Sequence, residues 1–205
     1  GLVGLGLALV ISIPLGILAA LRENTAVDRG ITMFTMLGQA VPSFWLALIL
    51  MIVLGLQLGW LPISGTGTWQ HLVMPGIVLA FTAIPALTRL TRSGMIEAMA
   101  SDYIRTARAK GLSRAKIILK HALRNAAIPV VSIAAVQLGF MLGGSIVIET
   151  VFALHGVGYL AWESIGKNDF PVVQAVVMVL AIIYICLTLL ADILNALLDP
   201  RLRSS

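Results

Sequence analysis

The sequence predicts an all-α fold, a polytopic membrane helix bundle with five transmembrane helices. Three observations carry that expectation. Of the 205 residues, 59% are hydrophobic and only 11% are charged. The charges gather in short stretches between long uncharged runs. Each run is about as long as a bilayer requires, because a helix rises ~1.5 Å per residue through ~30 Å of hydrocarbon and must satisfy its amides internally. A mean hydropathy of +1.00 is too high for a soluble domain with one apolar face per element.

The first run covers residues 2–21 and stops at Arg22 and Glu23. Between Arg29 and Arg89 there is no Asp, Glu, Lys or Arg, which leaves room for two spans, at about 31–57 and 72–94. The stretch GWLPISGTGTW, residues 59–69, turns the chain between them. Its Pro62, Gly65 and Gly67 break helices, and Trp60 and Trp69 carry rings that settle at a membrane interface. The fourth and fifth spans are expected at about 126–148 and 170–198, so that residues 1–205 form a single transmembrane domain. Pro14, Pro42, Pro75, Pro85 and Pro129 predict kinked helices, since neighbouring helices can re-satisfy the freed carbonyls. Gly139 and Gly143 lie one turn apart and predict a seam of close helix packing.

Orientation follows from Lys and Arg, which short cytoplasmic loops retain. Arg22, Arg29, the nine basic residues of 89–124, Arg201 and Arg203 all fall on one side of a five-span weave, and only Lys167 lies opposite. This predicts an external N-terminus and a cytoplasmic C-terminus for the chain. It also removes the main argument for a nucleic-acid binder, because the sequence pI of about 9.9 is what such topology produces. Residue 1 is Gly and the first apolar run begins at once, with no basic leader, so the sequence reads as a fragment that lacks its natural N-terminus.

The densest charge is in SDYIRTARAKGLSRAKIILKHALRN, residues 101–125, with seven Lys and Arg. Ser101 is placed to cap a helix starting at Asp102, whose carboxylate suits the positive helix N-terminus, and Gly111 to end it in a left-handed conformation. Ser113 is placed to cap a second helix running to about Arg124. Two short cytoplasmic helices within a loop of about 95–125 are therefore expected. Topology alone needs only part of this charge, and paired caps are more than an electrostatic anchor to lipid requires, which favours docking of a cytoplasmic protein.

Elsewhere the chemistry is sparse. Cys186 has no partner for a disulfide and reads as a buried hydrophobe. His71, His121 and His155 lack ligand spacing, so no metal site is expected, and no catalytic or cofactor-binding residue is assigned. HGVGYLAWESIGKNDF, residues 155–170, reads either as a segment dipping back at the outer mouth or as an interfacial helix anchored by Trp162. Glu149 is either a hydrated interface group or a pathway acid. Asp192 reads as a packing or interfacial group near the end of the last span.

The run DYIRTARAKGLSRAKIILKHALRN resembles the cytoplasmic loop of the integral-membrane permeases of ABC importers, in the peptide/nickel branch. That family's pattern is an EAA triplet followed by a Gly and an I-x-L-P ending; here Ala107 holds the third place of the triplet, Gly111 is the Gly and Leu123 the Leu. Arg105 replaces Glu, Thr106 the first Ala, His121 the Ile and Arg124 the Pro. VPSFWLALIL from Val41, ETVFALHGVGYL from Glu149, DFPVVQ from Asp169 and DPRLR from Asp199 also resemble the branch, and VPSFWL and HALRN resemble the first of its two paired permeases.

The resemblance implies a pathway-forming permease of an ATP-driven importer for di- or oligopeptides or a glutathione-like solute, with nickel as the alternative cargo. It also implies the partners: a homologous second permease, two cytoplasmic ATPases and an external solute-binding protein, all at a bacterial or archaeal plasma membrane with its lipid. Asp102, Tyr103, Arg105, Thr106, Ala107, Arg108, Lys110, Gly111 and Leu123 would then couple to the ATPase, with Ala107 and Gly111 allowing close approach. The chain has no G-x-x-x-x-G-K-[ST] loop, so ATP hydrolysis is assigned to the partners. A secondary transporter is the rival reading, but the spans hold almost no ionisable residue for ion coupling. An intramembrane enzyme would need a base beside Ser12, Ser43, Ser132 or Ser145, and no His lies within an expected span.

Overall fold

A computed structural model describes residues 1–198. Asp199 and the rest of DPRLR, with Arg201 and Arg203, lie outside the described residues. The regular elements of the described residues are all helices: α1 (Leu2–Leu21), α2 (Ala26–Ala40), α3 (Ser43–Leu50), α4 (Val73–Ala100), α5 (Asp102–Ala109), α6 (Arg114–Lys116), α7 (Leu123–Val151), α8 (Val157–Gly166) and α9 (Phe170–Leu198). π-helical turns extend α3 through Met51–Gln57 and join α6 to α7 through Ile117–Ala122. Four helical segments among the described residues are long and apolar enough to cross a membrane: Leu2–Leu21, Trp69–Ala100, Arg114–Gly143 and Phe170–Leu194. The bent pair Ala26–Ala40 and Ser43–Gln57 makes a fifth when counted as one broken span.

Helix α4 is the centre of the bundle. The most apolar stretch of Trp69–Ala100 is 61% buried, against 6% for that of Phe170–Leu194. Its main partner is α1, which presents a stripe of small buried residues, Gly4, Ala8, Ser12, Gly16 and Ala19. Residues three and four apart share a helix face, so this stripe forms a shallow channel along α1. A Cβ on Gly4 would lie 2.8 Å from Leu79 Cβ, and one on Gly16 would lie 2.6 Å from Thr91 Cβ and 2.9 Å from the Thr88 carbonyl oxygen. Gly76 reciprocates from α4, where a Cβ would stand 2.9 Å from Val3 Cγ1. Lipid tails are as apolar as Leu, so helices in a bilayer associate through such close packing more than through hydrophobic burial. The matched positions rise together along both chains, which makes α1 and α4 parallel.

Helix α7 packs antiparallel on α4: Gly94 lies beside Ala126, and Gly1 at the other end beside Leu138 and Leu142. Helix α9 leans on α7, where the Tyr184 ring fills the space that a side chain on Gly139 would need. Of the small residues expected to form a seam with Gly139, Ser145 is buried and Gly143 faces open space.

The kink expected at Pro42 is a break: the span at 31–57 divides into two helices, bent by 96° at Val41 and Pro42. Pro14, Pro85 and Pro129 sit inside unbroken helices, whereas Val41 (φ −84°, ψ 120°) and Pro42 (φ −61°, ψ 134°) are extended. A residue before Pro avoids the helical region, and Gln39, Ala40 and Pro42 are exposed, so no neighbouring helix holds the chain in line there. One expectation needs correction: 114–124 is expected as a separate short helix. It continues without a break into α7, because nothing between Ser113 and Val151 stops a helix except Pro129, which is accommodated.

The connection after the π-helical segment follows its turn residues. Gly59, Gly65 and Gly67 have positive φ, Trp60 and Trp69 are exposed, and the Gly65 N–H donates to the Phe152 carbonyl at 3.1 Å.

Replacing Gly16 by Leu should prevent normal α1–α4 packing, an overpacking cost of about 1–3 kcal/mol or more. Gly6→Leu, at a position with nothing within 4 Å, serves as the control. Thermal unfolding of the detergent-solubilised protein should show a clear loss for Gly16→Leu and little change for Gly6→Leu.

Candidate functional site

At one end of the bundle, the basic end, α1 stops, α2 begins, α4 ends and α5 and α6 gather. Helix α5 is strongly amphipathic. Ile104 is fully buried and Ala107 nearly so, while Asp102, Tyr103, Arg105, Thr106, Arg108 and Lys110 are exposed. Ile104 and Ala107 join Met95 and Ala98 of α4, Ile117 and Ala122 of the π-helical turn, and Ala126 of α7 in one apolar cluster. Leu112, Ile118 and Leu123 pack around its edge. The cluster ties α5 to α4 and to the π-helical turn that leads into α7.

The stop after α5 is a Schellman motif. Gly111 has φ +72°; its N–H donates to the Arg108 carbonyl at 3.0 Å, and the Leu112 N–H donates to the Ala107 carbonyl at 3.3 Å. Gly takes this left-handed conformation without a steric penalty, and Leu112 then folds back onto the cluster. Ser113 caps the next helix as expected, accepting from the Lys116 N–H at 3.4 Å. Ser101 does not cap α5. Its hydroxyl donates backward to the Ala98 carbonyl and so closes the end of α4 instead.

The exposed face of α5 carries three basic side chains. Arg105 lies 3.5 Å from Asp102, both fully exposed to solvent, and such pairs contribute at most about 1 kcal/mol. Arg105 is therefore free to change partners. Ala107 requires a correction. It does not lie on the open face, where it could admit a partner; its small side chain lets α5 approach the protein's own helices. Gly111 is exposed, with open space around it.

One interaction at this end had no signal in the sequence. Asp28, at the start of α2, accepts from Arg92 Nε at 2.6 Å and from Nη2 at 2.7 Å, and also from the Asn24 N–H at 2.9 Å. The pair spans 64 residues and joins the α1–α2 turn to α4 in a planar two-point contact that only Arg makes. Neither residue stands in a motif, so only the fold brings them together.

At the opposite end Glu149 is a structural acid. Its carboxylate accepts from the Ser145 hydroxyl at 2.8 Å and from the Tyr159 N–H, in the first turn of α8, at 2.8 Å. A Cβ on Gly156 would come within 2.6 Å of that carboxylate, and one on Gly158 within 3.0 Å. The Gly-Val-Gly sequence thus clears a seat for the anion at the positive end of α8. Trp162 is exposed on α8, Asp192 is exposed on α9, and Cys186, expected to be buried, is exposed on the outer face of α9.

Residues 12–204 match the family described as the binding-protein-dependent transport system inner membrane component. The chain belongs to this family. Its relatives in the family include the oligopeptide transport system permease protein AppB of Bacillus subtilis (strain 168), 42% identical over 96% of this chain and 65% of the relative. The glutathione transport system permease protein GsiC of Escherichia coli (strain K12) is 39% identical over 96% of this chain and 64% of the relative. The chain thus spans just under two thirds of these relatives. Among solved structures, a chain of the MetNI methionine ABC transporter in an inward-facing form matches with a TM-score of 0.81. That match covers 97% of this chain and 90% of the other at 20% identity, a likeness of fold.

Breaking the Asp28–Arg92 contact should destabilise this inner-membrane component. Asp28→Asn and Arg92→Gln should each cost about 1–3 kcal/mol, below a fully buried pair because Arg92 retains some solvent. A double-mutant cycle on thermal unfolding in detergent should return a coupling of at least about 0.5 kcal/mol.

Proposed function

We propose that the chain is the membrane-spanning part of a permease subunit of an ATP-driven importer for peptides of the oligopeptide or glutathione class. The peptide assignment rests on the names of the relatives, AppB and GsiC. The subunit would pair with a homologous permease, receive its cargo from an external solute-binding protein and be driven by two cytoplasmic ATPases. The placement of Lys and Arg supports a cytoplasmic basic end.

The observation that carries the mechanism is helix α5, charged on its open face and anchored by Ile104 to both α4 and α7. An ATPase groove would grip Tyr103, Arg105, Thr106, Arg108 and Lys110 through acidic and polar contacts. Asp102 and Gly111 bound that face. Ala107 and Leu123 act from behind it, holding α5 to the bundle. When ATP draws the two ATPases together, α5 moves with them. Because Ile104 sits in a packed cluster that does not deform continuously, α4 and α7 follow as rigid bodies and the pathway changes its open side. Catalysis stays with the ATPases, and this chain supplies the pathway and the lever.

Changing Arg105, Arg108 and Lys110 together to Glu should abolish association with the ATPase and cargo-stimulated ATP hydrolysis in vesicles. The fold should survive, since all three are exposed. Persistence of both activities would remove α5 from the coupling role. Ile104→Ala opens a cavity behind α5, a local cost of about 2–5 kcal/mol. It should keep ATPase association while lowering peptide uptake per ATP hydrolysed, measured side by side in the same vesicles.

A further inference from the structure

Between α1, α2 and α4, near the basic end, lies a cavity of about 310 Å³. Thr88 lines it as a buried residue, 3% exposed. Arg89 lines the same cavity, and among the described residues no acid pairs with it. Arg92 also borders the cavity, but its charge is neutralised by Asp28. The wall therefore carries one uncompensated positive charge, with Thr32 and Gln39 of α2 as further polar groups.

A second cavity, of about 180 Å³, adjoins the first across Thr35 and Pro85. Its walls are Ile11, Phe34, Phe81 and Ile84, without a titratable group. Phe81 stands eight residues before Arg89 on α4, which at ~1.5 Å per residue places the apolar end ~12 Å from the charge. The exposed face of α2 beside both cavities is apolar, with Met33, Phe34 and Leu37. The combination is amphiphilic: one cation at the end of the bundle where charges gather, and an apolar slot running toward its middle.

We propose that the two cavities take the headgroup and one acyl chain of an anionic phospholipid, its phosphodiester against Arg89 and the chain in the slot of Ile11, Phe34, Phe81 and Ile84. A single phosphodiester carries one negative charge, which matches the single unpaired guanidinium. A free phosphate would meet Arg89 but leave the apolar slot unfilled, and a zwitterionic lipid would bring a second cation to Arg89. The inference rests on membrane embedding and is independent of the cargo.

The test uses the permease purified with its partners in detergent. Lipids retained by the complex are read by native mass spectrometry, and thermal stability is followed on adding phosphatidylglycerol, phosphatidylcholine or inorganic phosphate. The wild type should prefer phosphatidylglycerol to phosphatidylcholine by about tenfold, the scale of one charge-assisted contact. Arg89→Gln should reduce that preference to near unity. An unchanged preference in Arg89→Gln, equal retention of the two lipids by the wild type, or stabilisation by inorganic phosphate matching that by phosphatidylglycerol would each overturn the proposal.

Discussion

The bundle depends on how closely α1 can approach α4. No solvent drives two apolar helices together inside a bilayer, so attraction comes from dispersion between surfaces in contact. Gly4, Ala8, Ser12, Gly16 and Ala19 remove side-chain bulk along one face of α1, and α4 answers with Gly76. With these two helices locked in parallel, α2 must return antiparallel beside them, and α7 finds the other face of α4. The position of every later element follows from that pairing.

The basic end is built on this rigid centre. Asp28 and Arg92 tie the α1–α2 turn to α4, and the cluster around Ile104 ties α5 to α4 and α7. A lever needs a stiff fulcrum, and here polar and apolar contacts provide it together. At the other end Glu149 does the corresponding work, since its carboxylate holds the first turn of α8. Paired or seated acids thus fix the frame at both ends, while exposed cations face outward from α5 and Arg89 lines the cavity beside α2.

Much of the fold was legible because hydrophobic length is a one-dimensional property. The runs at 2–21, 72–94, 126–148 and 170–198 correspond to long helices, and the turn at 59–69 follows from Pro and Gly. The kink positions were less legible. A proline's effect depends on whether neighbours hold the helix on both sides, so Pro14 and Pro42 look alike in the sequence and behave differently. The stop at Gly111 was legible from local chemistry, and the capping role of Ser101 was not, because a serine between two helices can bond to either.

The sequence by itself determined the all-α class, the number and approximate place of the apolar helices, the collection of charge at one end, and the motifs that mark the α5 region. These depend on neighbours along the chain or on composition. Only the tertiary structure decided that Ala107 faces inward, that 114–124 is the foot of α7, that Asp28 meets Arg92, and that Glu149 seats α8. Each depends on which helix face meets which, and that is set by contacts between residues far apart in the chain.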